Sequence, residues 1–461
     1  MKVKLPDKYI SQMKEMLGDE YDAYVSVLEQ PMYHALRVNT LKLSVEDFKR
    51  ISPYKLTPVP WCDNGFYYDA SEGVVPSKHP FYHAGLYYLQ EPSAMLPAAT
   101  LPIEPGDRVL DMCAAPGGKS TELAARLRGT GLLMSNDVSA SRIKALIKNL
   151  ELFGVSNAVV TCMEPKALAD RFPGYFNKIM IDAPCSGEGM FRKSSAMISA
   201  WEQNGNELFA GIQRDILREA VRLLSPGGMI LYSTCTFCKM EDEESVRYLL
   251  SLDDSLSLEY VSDCEGFVRG YGGLTETVHL FPHRVKGEGH FTALIRKAGE
   301  YSNTVVDRGL DMTAVMRFPE ITEFMEHITD KSCICGVLQL LKDKLYLMPY
   351  GMPDMRGIRT MRQGVYMGEL KKKRFEPSQA MAMLLRGDAF DNVLDLGVDD
   401  AVRYLKGETL DTDAMDIAMQ NHGRGLDSGY VLVTISGYPI GFGKLAGGTL
   451  KNKYLPGWRL S

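Results

Sequence analysis

Two cysteines stand just beyond short hydrophobic runs. Cys185 lies in Asp182-Ala183-Pro184-Cys185-Ser186-Gly187, after Lys178-Ile179-Met180-Ile181, and Cys235 lies in Ser233-Thr234-Cys235, after Met229-Ile230-Leu231-Tyr232. If both runs are strands of one open parallel sheet, both thiols arrive at its carboxyl edge, where such sheets bind ligands. Thiolates form covalent intermediates that divide one difficult step into easier ones. A free thiol has a pKa of about 8.5, so only a few per cent is thiolate near neutral pH. A cationic neighbour such as Lys119 would raise that fraction.

A third segment supplies a ligand turn. Asp111-Met112-Cys113-Ala114-Ala115-Pro116-Gly117-Gly118-Lys119-Ser120-Thr121 joins a strand to a helix, and small residues there let a ligand approach the backbone and the helix N-terminus. Gly118-Lys119-Ser120 imitates the tail of a phosphate-binding P-loop, but that motif needs glycine where Cys113 stands. The dinucleotide fingerprint is absent too. Asp111, Asp137 and Asp182 end the first, second and fourth strands of the pattern. Strand-tip acids without a phosphate cradle suit a nucleoside that lacks pyrophosphate, and S-adenosylmethionine is such a ligand. The bland alternative for each acid is a helix cap.

With a sulfonium methyl donor, a thiol pair matches methylation of cytosine at C5. That carbon is a poor nucleophile within the aromatic ring. Addition of a thiolate to C6 breaks the conjugation and makes C5 enamine-like. The C5 proton and the thiol must then leave, and a second thiol can assist. Asp182 can face the N3/N4 edge of the base, as an acid if protonated. The bland reading of a single cysteine is a small buried hydrophobe. Cys235 and Cys238 also form a C-x-x-C, and Cys333-Ile334-Cys335 offers a second pair. That spacing fits no zinc pattern, so no metal is expected.

These residues need a scaffold. From Asp107 onward, strand and helix patterns alternate: Arg108–Asp111, Lys119–Leu127, Leu132–Ser135, Ser141–Phe153, Ala158–Thr161, Lys178–Ile181, Glu207–Leu224, Met229–Ser233 and the late strand His290–Ile295. The expectation is a doubly wound, Rossmann-like α/β core. Before it, apolar residues from Tyr9 to Leu28 recur at helical spacing. A mixed stretch follows, giving a small N-terminal α+β domain. After the core, 298–308 reads as a polar linker, and Tyr430–Lys444 as a hairpin turning at Ser436-Gly437. The expected domains are 1–90, an RNA-binding cap; 91–297, the catalytic domain; 298–377, an intermediate α+β segment; and 378–461, a β-rich domain. The chain has 461 residues, with hydrophobic and charged contents of 45% and 24%, ordinary for a soluble protein. No apolar run approaches the ~18 residues of a membrane span, no signal peptide is read, and the nine cysteines show no disulfide framework. A cytoplasmic protein is expected. Its net charge of −6 means that any nucleic-acid partner must be gripped by local basic groups.

Cys113–Lys119, Asp182–Gly187 and Ser233–Cys235 resemble motifs I, IV and VI of the NOL1/NOP2/Sun family of RNA cytosine-5 methyltransferases. Leu36–Lys42 and Leu89–Met95 resemble its upstream signatures, so the likeness runs from about residue 30 to 297. Gly437–Lys444 and Leu450–Tyr454 resemble the tail of a bacterial branch that methylates small-subunit rRNA, a PUA-like RNA-binding domain. The resemblance implies a class I S-adenosylmethionine-dependent fold, with Cys235 as nucleophile, Cys185 as the thiol that assists release, and Lys119 and Asp182 as catalytic participants. It places the cofactor on Cys113, Ala114, Ala115, Pro116, Gly117, Gly118, Lys119, Asp137 and Asp182. Glu164 stands where the family often has Asp and reaches the cofactor with a longer arm. The implied partner is rRNA or the small ribosomal subunit, with the protein working as a monomer. Arg192-Lys193, Lys371–Arg374, Lys444, Lys451, Lys453 and Arg459 are candidate phosphate contacts. The rival functions are a tRNA methyltransferase of the same family and a catalytically silent RNA-binding assembly factor.

Overall fold

The computed structural model describes residues 5–69, 75–193, 195–301, 309–413 and 428–460. The N-terminal region carries a four-stranded antiparallel sheet of β1 (Ala35–Val38), β2 (Leu56–Val59), β3 (Cys62–Tyr68) and β4 (Tyr87–Leu89), in the order β2-β3-β1-β4. The expected helix over Tyr9–Leu28 is two helices, Asp7–Leu17 and Tyr21–Leu28, parted by a short turn at Gly18–Glu20. Their shared apolar face, including Tyr9, Met13, Tyr24 and Leu28, packs against Phe191, Trp201 and Phe237 of the core.

The core is built on β5 (Arg108–Asp111), β6 (Leu132–Asn136), β7 (Ala158–Thr161), β8 (Phe176–Asp182), β9 (Leu224–Thr234), β10 (Leu256–Glu259), β11 (Val268–Arg269), β12 (Val278–Leu280) and β13 (His290–Lys297). Their order is β11-β12-β13-β9-β8-β5-β6-β7, with β10 pairing β13. Strands β5 to β9 run parallel, and β13 lies antiparallel to β9. Both faces of these strands are buried, so they read as continuous apolar runs rather than alternating ones. The chain leaves β5 towards β6 on one side, and β8 joins on the other. That reversal opens a crevice at the carboxyl ends, where all three chemistry-bearing segments emerge.

The helix read from Glu207 to Leu224 is present, and a further helical segment precedes it: the two together span Ser195–Leu223 and are parted at Gly205, whose φ of 69° and ψ of 173° are not helical. The segment 298–377 is not a self-contained unit. Its strand Thr360–Gln363 pairs antiparallel with β7 and extends the central sheet. Its other strands form a five-stranded sheet whose apolar face shares one core with Met381, Phe390, Leu432 and Phe442 further on. Of the expected linker, 302–308 lies outside the described residues. The hairpin is present: Gly429–Ile435 pairs with Tyr438–Ala446 through a turn in which Ser436 and Gly437 both have positive φ, 49° and 78°. That pair of signs matches the right-handed twist of the flanking strands.

One buried charge ties the N-terminal sheet to the core. Arg37, in the middle of the fully buried β1, is 1% exposed. Its Nε lies 3.0 Å from Glu122 Oε2, and its Nη2 donates to the Gly118 carbonyl at 2.6 Å and to Thr121 Oγ1 at 2.8 Å. It also donates to Gln90. Glu122 is buried as well, and although burial opposes ionisation, Arg37 and Arg126 hold its carboxyl below the usual range. The guanidinium therefore fixes the helix Gly118–Leu127 that follows the glycine-rich turn. Arg37→Ala leaves Glu122 buried without its main partner and should cost about 3–5 kcal/mol. Denaturant unfolding followed by circular dichroism checks this, and a loss below about 1 kcal/mol contradicts the clamp.

Candidate active site

The parallel register of β8 with β9 sets Asp182 beside Ser233. The loops that follow the two strands must then run side by side, and the Ala183 N–H donates to the Ser233 carbonyl at 2.9 Å. The result is a close thiol pair: Cys185 Sγ and Cys235 Sγ are 3.3 Å apart. The hydrogen bond with Cys235, together with burial, pushes the Cys185 thiol well above its ordinary pKa. Cys185 therefore keeps its proton at neutral pH.

Beside the sulfurs opens a cavity of about 730 Å³, lined by Cys113, Asp137, Glu164, Asp182, Cys185 and Cys235 among others. Of the residues expected to hold a cofactor, Cys113, Asp137, Glu164 and Asp182 are on its wall. Ala114, Ala115, Pro116, Gly117, Gly118 and Lys119 are not on the wall and form the turn and helix start behind Cys113. Gly117 has φ 110°, and a Cβ there would sit 3.0 Å from Leu146 Cδ1, so glycine is required on both grounds. Asp137 is oriented by the N–H groups of Ala115 (3.2 Å) and Ser139 (2.9 Å), with Arg142 Nη1 at 3.4 Å. Burial pushes the Cys113 thiol up, so it contributes as a neutral wall group.

Asp182 carries the strongest charge contact. Lys119 Nζ lies 2.7 Å from Oδ2, the Ser233 hydroxyl donates to Oδ1 at 3.1 Å, and His290 Nε2 is 3.6 Å from Oδ1. Burial favours the neutral acid, but the Lys119 ammonium and His290 outweigh it and hold the carboxyl well below the usual range. Asp182 is thus an ionised acceptor, so the condition for its acting as an acid, that it be protonated, is not met in this structure. Lys119 directs its charge to Asp182 rather than to a thiol. Burial and the Lys119 charge depress the His290 pKa, so His290 is neutral near pH 7.

Several residues that position the thiols carried no local signal in the sequence. Glu241 accepts from the Ser186 N–H (3.0 Å), Gln213 (3.0 Å) and Asn206 (2.9 Å). Glu188 accepts from Trp201 and Asn206, both at 2.9 Å, and from the Phe237 N–H at 3.0 Å. The Gly189 N–H donates to the Cys235 carbonyl at 2.9 Å, and the Ser186 and Thr236 hydroxyls are 2.8 Å apart. Each loop is therefore held by groups belonging to the other. His290 reaches the site because β13 pairs with β9.

Other expectations fall differently. Arg192, expected at a phosphate, is buried in an ion pair with Glu288, its Nε donating to Oε2 at 2.8 Å. The reason is its place beneath the N-terminal helices, where Nη1 also donates to the Val27 carbonyl. Lys371 and Arg374 pair with Glu369 and Glu376 on their own hairpin. All nine cysteines are free, and among the described residues no His, Cys, Asp or Glu group is arranged to hold a metal. No described helix is long and apolar enough to cross a membrane.

Comparison with known proteins gives a consistent match along the chain. The family described as 16S rRNA methyltransferase RsmB/F matches residues 98–296, and the N-terminal domain of 16S rRNA methyltransferase RsmF matches 5–92. The first C-terminal domain of RsmF matches 323–385, and the RsmF PUA domain 391–460. Ribosomal RNA small subunit methyltransferase F of Vibrio parahaemolyticus is 33% identical, over 98% of this chain and 96% of that protein. The protein of the same name from Escherichia coli strain SE11 is 32% identical with the same coverage. Among solved structures, a methyltransferase homolog from Pyrococcus horikoshii aligns with TM-score 0.56 and 28% identity, over 64% of this chain and 96% of that one. NSun6 from the same organism, solved with SFG, aligns with TM-score 0.56 and 22% identity, over 65% of this chain and all of that one, a likeness of fold.

One acid behind the site titrates near neutrality. Burial pushes the Asp111 carboxyl up from 3.8 to about 7, against the hydrogen bond from Ser120 and with the help of the Asp182 charge. A carboxyl whose folded pKa is raised stabilises most below its unfolded pKa, and the contribution is lost as pH rises through the folded value. Between pH 4 and 7 the wild type should therefore lose stability relative to Asp111→Asn. Thermal melts of both proteins across that window test it, and a pH-independent difference contradicts it.

Proposed function

The chain belongs to the ribosomal RNA small subunit methyltransferase F family, and from that premise we propose that it methylates C5 of a cytosine in small-subunit rRNA through a covalent bond between Cys235 and C6. The observation that carries this reading is the pair of sulfurs 3.3 Å apart beside an acid-lined cavity.

The wall residues fit S-adenosylmethionine. Asp137 offers an oriented carboxylate of the kind that binds a ribose diol, Glu164 a second acceptor, and Cys113 a neutral surface for the adenine or the methionine chain. When bound, that cofactor supplies an electrophilic methyl group. The protein's own groups do the rest. The reading gives the attack to Cys235, as the family resemblance does, with Cys185 beside it at 3.3 Å holding its proton. The Cys235 sulfur bonds to C6, and the C5–C6 double-bond electrons become available at C5 for the methyl group. Once Cys235 is bound as a thioether, its charge no longer opposes ionisation of Cys185. Cys185, its own proton passed to solvent, can then take the C5 proton as the S–C6 bond breaks, Cys235 leaves as a thiolate and the double bond returns. Asp182, ionised and held by Lys119, accepts from the N4 amino group and so favours cytosine over uracil.

The target base must leave its helix to reach the sulfurs, at a cost of a few kcal/mol. The N-terminal domain and the PUA domain supply RNA contacts that offset this. The reading is of a monomer that acts in the cytoplasm.

Cys235→Ala should lower methylation by at least about 10³-fold, as expected for loss of a covalent nucleophile, while leaving cofactor binding intact. Cys185→Ala should retain attack and accumulate a protein–RNA adduct that survives denaturing electrophoresis. 5-Methylcytosine made by the Cys235→Ala protein would sink the mechanism. Bisulfite sequencing of total RNA from a deletion strain identifies the substrate: one or more 5-methylcytosines should vanish from small-subunit rRNA. Their loss from tRNA instead, or no loss, contradicts the assignment.

A further inference from the structure

A second, smaller cavity borders the catalytic cluster and shares no wall residue with the cofactor cavity. Its volume is about 200 Å³, and Tyr33, His34, Tyr68, Glu91, Lys193 and Glu288 contribute to its wall. At about 30 Å³ per water it would hold roughly seven waters, enough room for one planar heterocycle.

Its position ties it to the reaction. Glu288 is on the segment that leads into His290, which faces Asp182. Lys193 ends the turn whose Gly189 N–H holds the Cys235 carbonyl. On the far side, Gln90 approaches within 3.1 Å of where a Gly118 side chain would begin, next to Lys119. The cavity is thus lined by segments continuous with the loops that carry the two sulfurs and Lys119.

Its chemistry selects a base rather than a phosphate. Tyr33 is 39% exposed, and His34 is exposed and stacks on Tyr68 with ring centroids 5.9 Å apart and planes at 27°. Aromatic faces open to solvent at an RNA-processing site are stacking surfaces. The polar wall is acidic and fixed: Glu288 is held by Arg192, and Glu91 accepts from the N–H groups of Ser93, Ala94 and Glu288. Each carboxylate oxygen has more than one acceptor direction, so these acids can still take hydrogen bonds from a ligand. Although Arg192 balances the Glu288 charge and burial pushes the Glu91 carboxyl up, both acids offer acceptor oxygens, which suit an exocyclic amino group and give a phosphate no donor. Of the nearby cations, Lys193 on the wall is exposed, and Lys286, outside the wall, lies over the Tyr33 ring at 6.0 Å.

We propose that this cavity is a subsite for one unpaired nucleotide beside the target cytosine, stacking its base on Tyr33 and His34, directing an amino group to Glu91 and Glu288, and leaving its phosphate to Lys193. The proposal rests on the RNA methylation reading above and adds to it a sequence preference outside the methylated base. Adenine, cytosine or guanine suits the acidic wall, and uracil, which has no exocyclic amino group, does not.

The test uses an RNA hairpin that contains the cytosine mapped by bisulfite sequencing, with each neighbouring nucleotide replaced in turn by an abasic site. For the wild type, one neighbouring position should lower kcat/KM about tenfold, the scale of a lost base–aromatic stack. Uridine there should cost about as much as the abasic site. Tyr33→Ala and His34→Ala should each lose up to about tenfold on intact RNA, and combining either with the abasic site should add almost nothing. Cofactor titration by calorimetry confirms that both variants are folded. Fully additive losses, or variants that match the wild type, overturn the subsite. Uridine tolerated as well as the amino-bearing bases overturns the role of the acids. If wild-type protein fails to methylate the intact hairpin, the methylation reading itself fails, which no variant is needed to reveal.

Discussion

The parallel pairing of β8 with β9 is the constraint on which the site depends. Backbone hydrogen bonds fix their register, and with Asp182 beside Ser233 the chain has little freedom over where the next residues go. Cys185 and Cys235 are delivered to one point although fifty positions separate them in sequence. Neither loop is left to hold its thiol alone. Glu241, from beyond Cys235, holds the Ser186 N–H, and Glu188, from beyond Cys185, holds the Phe237 N–H. Asn206 donates to both acids from the kinked helix. Buried carboxylates satisfied in this way position their partners firmly, because leaving any of these polar groups unpaired in a low dielectric is costly.

The same burial sets the protonation of the site. Glu241 and Asp242 are pushed upward by burial, and the acids around the thiols disfavour further negative charge. The hydrogen bond with Cys235 and burial keep the proton on Cys185, with the Glu241 charge a lesser contribution. The opposite holds on the other side of the sulfurs, where Lys119 keeps Asp182 ionised. A neutral thiol and a charged carboxylate thus stand close together, each maintained by its own neighbours. Arg37 extends this arrangement to the N-terminal sheet, since it fixes the helix that carries Lys119 and is itself held by Glu122 and Gln90.

Much of the site was legible because its residues are contiguous. The turn from Asp111 to Lys119, the Asp182–Gly187 loop and the Ser233–Cys235 strand end each combine a strand, a break and a reactive side chain within a few positions. Asp137 was legible for the same reason, as an acid immediately after a strand, whereas Glu164, three positions past its strand end, was read only through the family resemblance. Arg192 was misread because its exposure depends on the N-terminal helices folding over it, which no local pattern encodes. Arg37 did leave a trace, a single charge inside Ala35-Leu36-Arg37-Val38, where an unpaired cation would be expensive to bury. Asn206 left none, since a helical asparagine reads as surface until its neighbours are known. The segment 298–377 was read as separate because its strands are short and mixed, yet Thr360–Gln363 pairs with β7, a choice made by an open sheet edge.

By itself the sequence determined the strand–turn–helix alternation, the identity of the reactive groups and the order in which they meet the chain, because these follow from local periodicity and composition. Only the tertiary structure decided that two sulfurs lie 3.3 Å apart, that Cys185 keeps its proton, and that Lys119 serves Asp182. It also decided that His290, Glu188, Asn206 and Glu241 belong to the site. The physical reason is that distance, burial and dielectric are properties of packing between segments remote in sequence, and these quantities decide which of several capable side chains carries charge.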